Sequence, residues 1–468
     1  MSLAEAVSLK PMSLKDPALN AVLQRLRQTD NVTNVYYLAR TWVFLSLVIG
    51  GAVWFNLYQQ SAGLAFWWNI PVFLFAILCI GAGQHQLTGL AHEASHHVLF
   101  RNRYLNDLIS DWFCMFPMFS STHHYRLQHL AHHQFVNDPV RDPDVSQLQT
   151  SGHWLDFPLS KQEFLKVLVK QLWLPNLVKY IRIRAKYNSV GTDKNPYLKK
   201  GWKPNKVPVL AGILYILGQI ALFTGLVMHG DPILLALLPT LAWAGMMVFY
   251  ASIPADWYHQ SRVHPVIPSR VMTLMRITFI TTLFGSLAWA TYLSGHRAAV
   301  YFFFLWVVPL FTSFSFFMVL RQLVQHGNGG RGWLTNTRVF FVHPLINFSV
   351  FPMGQDLHLP HHMYATVPHY RLRELHEELL RFAEYREHAT VVEGYFLPKH
   401  LPPRPPTVLE VLGPDYAQHL LPTKYSSTTL SWRTTTSRRS RRLSRKRAGS
   451  RPRKTNREHL NSPMVIQI

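Results

Sequence analysis

Residues 41–92 read TWVFLSLVIGGAVWFNLYQQSAGLAFWWNIPVFLFAILCIGAGQHQLTGLAH and contain no Lys, Arg, Asp or Glu. A helix needs about 20 predominantly apolar residues to cross the hydrocarbon core of a bilayer, so this run is long enough for two crossings. The polar break Gln59-Gln60-Ser61-Ala62-Gly63 divides it, with one span ending near Tyr58 and the next starting near Leu64. Further charge-free runs at 207–230, 232–255, 277–296 and 298–320 supply two hairpins, turning at His229-Gly230-Asp231-Pro232 and Ser294-Gly295-His296-Arg297. The expected fold is all-α: a polytopic bundle of about six transmembrane helices. Composition points the same way, since only 15% of the 468 residues are charged, against about 25% in soluble chains.

Charge sets the orientation. Lys plus Arg is 47 against 24 acids. With both termini cytoplasmic, the three outer loops hold one basic residue, Arg297, and the remaining 46 of the 47 lie inside, as the positive-inside rule requires. Residues 1–40, 92–206, 256–276 and 321–468 are then cytoplasmic and form a helical cap over a membrane domain at 41–430. Segment 104–120 is apolar but interrupted by Asp107, Asp111 and Pro117, which suits an interfacial or re-entrant piece. Helical spacing over 369–390 puts Leu372, Leu375, Leu379 and Phe382 on one face.

Leu401-Pro402-Pro403-Arg404-Pro405-Pro406 reads as an extended linker. Residues 433–457 contain 12 Lys or Arg and no acid, so 431–468 is expected to be a disordered basic tail able to lie on anionic lipid. No aromatic is interleaved between Arg433 and Arg457, and no nucleic-acid partner is expected. Two cysteines, Cys79 and Cys114, cannot make a disulfide framework or a cysteine-rich zinc site. The first 37 residues lack the order of a signal peptide.

The 25 histidines cluster. His92-Glu93-Ala94-Ser95-His96 closes the second span, His129-Leu130-Ala131-His132-His133 follows it, and His358-Leu359-Pro360-His361-His362 comes more than 220 residues later. His326 follows the sixth span. Residues four apart share a helix face, so His92 and His96 converge, and all three members of each His-x-x-His-His can point one way. Imidazole is the commonest metal ligand. Nine candidate ligands exceed the positions of one ion, so the count argues for two. Four spans separate the sets, and an even number returns all of them to one face of the membrane. His85, His229 and His296 lie singly in or beside spans and read as packing or turn residues. His97, His123 and His124 adjoin the groups. His92-Glu93-Ala94-Ser95-His96 also fits the H-E-x-x-H of zinc proteases, a reading that leaves both triplets and His326 without work. A transporter places its ionisable residues inside the spans, where these histidines are not.

With three histidine boxes in this order, the chain resembles the membrane-bound fatty acid desaturase superfamily, which includes lipid hydroxylases and carotenoid ketolases. The likeness extends from roughly Val35 to Glu378, through contexts such as Tyr125-Arg126-Leu127-Gln128 and Val367-Pro368-His369-Tyr370. It implies a non-haem di-iron centre held by His92, His96, His129, His132, His133, His326, His358, His361 and His362. It further implies a buried channel for an alkyl chain, O2 as oxidant, and a fatty acyl lipid as substrate. Gln322 occupies a place where some members have a water-bridging Asn. Glu93, Asn137, Asp138, Asp142, Asp144, Gln355 and Asp356 lie beside the boxes as groups that orient ligand rings or cap turns. Two departures stand out. Many members place two spans, not four, between the second and third boxes, and no His-Pro-Gly-Gly haem motif is present, so an external donor of ferredoxin or cytochrome b5 type is implied. The expected product is a double bond, with hydroxylation or ketone formation as the alternative outcome of the same site. Short loops favour a bacterial inner membrane over an endoplasmic reticulum.

Overall fold

The computed structural model describes residues 14–190, 195–400 and 405–417. The basic tail and residues 401–404 of the proline-rich stretch lie outside the described residues. Helix α1 (Pro17–Leu26) precedes the span-length α2 (Thr33–Ser61), and a 3-10 turn at Phe66–Trp68 leads into α3 (Asn69–Ser95). Next come α4 (Arg103–Ser110), α5 (Thr122–Gln134), α6 (Pro143–Ser151), α7 (Lys161–Gln171) and α8 (Leu174–Val190). The spans resume with α9 (Lys206–His229), α10 (Pro232–Ser252) and α11 (Ser269–Ser294). A final span, Ala298–Gln325, is assembled from α12 (Ala298–Phe302), a π turn (Phe303–Val307), α13 (Val308–Phe311) and α14 (Ser313–Gln325). Beyond it lie β1 (Arg338–Phe341), α15 (Pro344–Val350), α16 (His358–Met363), α17 (Leu372–Leu379), α18 (Ala383–His388) and β2 (Thr390–Glu393).

Among the described residues, six helices are thus long and apolar enough to cross a membrane. The hairpin turns fall where the sequence puts them, for a backbone reason. Gly230 (φ 81°) and Gly295 (φ 69°) end their helices in the left-handed region, where a side chain is disfavoured. Asp231 then starts α10 by accepting from Ile233 N (2.8 Å) and Leu234 N (3.1 Å).

The sixth span is irregular at membrane depth, where no water can satisfy a freed carbonyl. Side chains do so instead. Gln84 Nε2 of α3 donates to Trp306 O (2.8 Å), and Ser315 Oγ donates to Leu310 O (2.8 Å). The α3–α14 crossing is close, with Ser313 Oγ donating to Ile77 O at 2.5 Å. A Cβ at Gly81 would lie 2.6 Å from the Phe314 backbone nitrogen. This contact ties the middle of the second span to the middle of the sixth.

Burial divides the spans into two sets. One core cluster runs through α2, α3 and α14, including Leu45, Ile80, Leu87, Phe317 and Val324. Two separate clusters hold α9, α10 and α11 to one another, through Tyr215, Tyr250 and Ile277 and through Phe223, Leu235 and Ala288.

Three expectations change. The helical pattern over 369–390 is not one helix: it ends at Leu379, resumes at Ala383 after Phe382 adopts an extended conformation (φ −95°, ψ 126°), and yields to β2 at Thr390. Leu372, Leu375, Leu379 and Phe382 are nonetheless all buried. A short parallel sheet joins the all-α frame, pairing Arg338 with Thr390 through Phe341 with Glu393. Its strands, Arg338-Val339-Phe340-Phe341 and Thr390-Val391-Val392-Glu393, are only four residues long, too short for periodicity to distinguish. The first span starts at Thr33 rather than Thr41, and Arg40 is held there by Gln86 Oε1 (3.2 Å).

Substituting Gly81 with Val should drive α3 and α14 apart. We expect loss of a monodisperse detergent-solubilised species by gel filtration, whereas Gly225→Val, with open space at its Cβ, should elute as wild type.

Candidate metal centre

The second span brings His92 and His96 to its end, α5 carries His129, His132 and His133, His326 caps α14, and α16 carries His358, His361 and His362. The fold gathers these nine into two groups. His92, His96, His129, His133 and His361 form one; His132, His326, His358 and His362 form the other. Within each group the ligand atoms all lie within 4.8 Å of one another.

The three residues of a triplet do not share a destination, contrary to the simplest reading of their spacing. In α5 the i,i+4 pair His129 and His133 joins the first group, while His132 crosses to the second. In α16 the i,i+4 pair His358 and His362 joins the second group, and His361 crosses to the first. A residue at i+3 sits about 60° around the helix from one at i and about 100° from one at i+4, and a helix wedged between two sites uses that difference.

Ring nitrogens meet through Nε2: His96 to His129 at 2.8 Å, His129 to His133 at 3.0 Å, and His133 to His361 at 3.1 Å. In the second group His132 meets His326 at 3.1 Å, His326 meets His358 at 3.0 Å, and His358 meets His362 at 3.1 Å. Two nitrogens at right angles about one ion, each about 2.1 Å from it, stand roughly 3.0 Å apart. His92 Nε2 is buried and has no hydrogen-bond partner among the described residues. The donor set therefore fits a pair of ions that accept imidazole.

Three of the nine opposite ring nitrogens have partners, whereas His358 Nδ1 and His361 Nδ1 are buried without one among the described residues. His132 Nδ1 donates to Asp142 (3.0 and 3.1 Å), and His326 Nδ1 donates to Asn336 O (2.9 Å). His92 Nδ1 lies 3.2 Å from Glu93 Oε1 and 3.0 Å from the Gln355 amide nitrogen. Burial and neighbouring rings hold His96, His129, His133, His326, His358 and His362 well below the ordinary histidine range, and burial takes His361 down to about 3. These rings are neutral, the state a ligand needs. His132 differs. Burial opposes its charge, but the Asp142 and Asp144 carboxylates outweigh that and lift it to about 9, making it the most basic ring of the nine.

The other expected residues separate by contact. Glu93 accepts from His369 N (2.7 Å) and is buried at the Nδ1 side of His92, so it is poorly placed to serve as the base of an H-E-x-x-H protease. Gln355 touches His92. Gln322 accepts from Tyr180 Oη (2.6 Å) and borders a small polar pocket lined by His132, His326 and His358. Three do not touch a ring of either group. Asn137 donates to Gly330 O (2.8 Å), Asp138 pairs with Arg141 (2.7 Å), and Asp356 accepts from Asn347 (3.0 Å); they shape turns. His85 bonds Ser349 O (2.7 Å), and His123 bonds Ser261 (3.2 Å). Neither they nor His97, His124, His229 and His296 enter a group.

Arg126 was legible only as context, yet it joins the boxes. It is 1% exposed. Its Nε donates to Ser95 O (3.0 Å) and its Nη2 to Ala94 O (2.8 Å), capping the end of α3 between His92 and His96. Asp107, which in the sequence merely interrupts an apolar segment, pairs with the same guanidinium at 2.5 and 2.8 Å.

Beside the groups lies a cavity of about 1520 Å³ between the two sets of spans. Thr88, Ala91, Tyr125 and Met318 line its histidine end, and Tyr125 stacks on His129 at 5.5 Å between ring centroids. Tyr125, Arg184, Asn188 and Arg321 border both this cavity and the polar pocket.

A model of the fatty acid desaturase family matches residues 65–287 and 264–393. The chain belongs to that family. It is 30% identical over 135 residues to dihydrorhizobitoxine desaturase of Bradyrhizobium elkanii, covering 29% of this chain and 34% of that protein. It is 28% identical over 130 residues to the Delta(5) fatty acid desaturase fat-4 of Caenorhabditis elegans, covering 28% and 26%. Over 81 residues it is 36% identical to the Delta 8-(E)-sphingolipid desaturase of Candida albicans, covering 16% and 13%. The chain thus spans a third or less of the length of these curated relatives.

Replacing Arg126 with Met should leave Asp107 buried without its cation and the Ser95 carbonyl uncapped, while Ala94 O keeps Asn106 Nδ2. Breaking a buried ion pair from one side costs about 3–5 kcal/mol; denaturant midpoints of the purified protein should fall accordingly, and an unchanged midpoint would refute the clamp.

Proposed function

We propose that the protein is a multi-pass membrane desaturase acting on a fatty acyl lipid. Two hydrogens leave neighbouring methylenes, and with two electrons and two protons from outside they reduce one O2 to two waters. The single observation that carries this reading is the adjacency of two all-histidine groups to a long apolar cavity in a chain of the desaturase family.

On this reading His92, His96, His129, His133 and His361 would hold one iron, and His132, His326, His358 and His362 the other. Bound iron supplies the redox chemistry and oxygen activation that no acid or base side chain offers against an unactivated C–H bond. The chain's own groups do the rest. Asp142 and the Asn336 carbonyl fix the tautomers of His132 and His326 by accepting from Nδ1, so that Nε2 is free to ligate. Thr88 and Ala91, small residues within one turn of His92, leave room for a chain to approach. Apolar walls keep water from the reacting carbons, and fixed placement selects between loss of a second hydrogen and oxygen insertion.

The loop charges support cytoplasmic termini, and we place the protein in a bacterial inner membrane with an external donor of ferredoxin or cytochrome b5 type.

Mass spectrometry of lipids from a host expressing the protein, beside its His361→Ala variant, tests the reaction. A species two hydrogens lighter, absent in the variant, is expected; one oxygen heavier would make the enzyme a hydroxylase. Purified protein should carry about two irons, and a single tight zinc would overturn the reading. Asp142→Asn should weaken retention of the second iron against a chelator by about 10–100-fold.

A further inference from the structure

The cavity beside the histidines carries polar groups at both ends, with Tyr292 and Arg297 at the far one, but its unpaired buried atoms gather beside the histidines. There, four side-chain atoms are buried without a hydrogen-bond partner among the described residues: Ser120 Oγ, Ser121 Oγ, His124 Nε2 and Arg321 Nε. Three belong to the segment entering α5, and the fourth lies five residues before His326. Buried polar atoms in proteins are nearly always paired. Four unpaired on one wall point to a ligand that completes them.

Charge states which kind. Arg182, Arg184, Arg276 and Arg321 line this part of the cavity and Arg297 its far end, and among the described residues no Asp or Glu lines it. Arg184 donates to the neutral Gln147 Oε1 (3.1 Å). Arg276 has neither a hydrogen bond nor an ion pair with a described residue, although it lies seven residues inside α11, from Ser269 to Arg276, or about 10 Å along the axis. Asp111, the carboxylate that acts on it through space, is occupied by Thr122 N at 2.7 Å. A guanidinium enclosed in a cavity without a paired charge is costly unless a ligand supplies one.

Between the two ends the walls are mainly apolar, with Phe223, Phe284, Leu287, Val300 and Phe303. The cavity follows α11 from Arg276 to Gly295, 19 residues or about 28 Å, close to the roughly 30 Å of a hydrocarbon core. A chain inside lies along the spans as it would in a leaflet, with its head beside the histidines.

We infer that Arg184, Arg276 and Arg321, with Ser120, Ser121 and His124, recognise an anionic head, carboxylate or phosphate, on the substrate's acyl chain. The inference rests on reading the cavity as the substrate site. It makes the substrate an anionic amphiphile, and a neutral ester or alcohol of the same chain a poor ligand.

Equilibrium binding to the full-length protein in neutral maltoside micelles tests this, at mildly alkaline pH where a carboxyl is ionised. The probes are hexadecanoic acid, hexadecyl phosphate and hexadecan-1-ol. At least one anion should bind about tenfold or more tighter than the alcohol, as charge-assisted hydrogen bonds allow. A tighter acid identifies a carboxylate head, and a tighter phosphate a phosphorylated one. Arg276→Gln and Arg321→Gln should each reduce the anion to the level of the alcohol and leave the alcohol unchanged, while Arg276→Lys keeps most of the preference. Should Arg321→Gln fail to fold by gel filtration, Arg276→Gln, whose side chain is in neither histidine group, decides alone.

Equal binding of all three probes by wild type would overturn the head site while leaving the apolar cavity intact. Preference retained in Arg276→Gln would overturn it as well. Loss of preference in Arg297→Gln alone would put the head at the opposite end and refute the assignment. Absence of binding by any probe would remove the cavity reading itself. None of these arms requires metal or turnover, so they stand apart from the test of the iron chemistry.

Discussion

The buried pair of Arg126 with Asp107 is the constraint on which the rest of the site depends. A helix ends with carbonyls that have no intrahelical partner, and α3 ends between two histidines of the first group. Water cannot reach those carbonyls. Arg126 takes the carbonyls of Ala94 and Ser95 with one guanidinium, and Asn106 Nδ2 reaches Ala94 O as well (2.9 Å). Since Arg126 belongs to α5, capping α3 and positioning the second box are one interaction. Asp107 neutralises the charge, which permits full burial.

From this junction the histidine pattern follows by helix geometry. The helices α5 and α16 lie between the two groups, and each sends an i,i+4 pair to one and the i+3 residue to the other. The exchange is reciprocal, so neither box makes a site alone. His326 enters from α14, whose position against α3 is set by the near approach at Gly81. Buried Nδ1 partners then fix which nitrogen of His132 and His326 faces inward.

Membrane packing creates the other half of the site. Spans α9 to α11 bury their side chains mainly on one another, and the space left between them and α3 and α14 is the cavity. Lipid tails are as apolar as Leu, so nothing in the hydrocarbon core forces such a gap to close. The irregular sixth span forms part of its wall, with freed carbonyls taken by Gln84 and Ser315 rather than left to solvent.

Of the four spans between the second and third boxes, a number read in the sequence as a departure, α9, α11 and the sixth span line the cavity, while α10 contributes no lining residue. Hydropathy alone was enough to place six spans and their turns, because the energetic cost of charge and unpaired backbone in hydrocarbon acts on each segment independently. Spacing likewise singled out nine histidines, because helix periodicity is local. It could not say that His132 and His361 change partners, that Asp107 pairs with Arg126, or that Asn137, Asp138 and Asp356 serve turns. Those outcomes depend on how helices distant in sequence face one another. The short sheet escaped for a related reason: four residues are too few to show a period, and β1 exists only because β2 lies beside it. Local chemistry in the chain determined the elements and the inventory of ligands; packing across more than 200 residues decided which side chains meet, since burial and pairing are properties of contacts and not of segments.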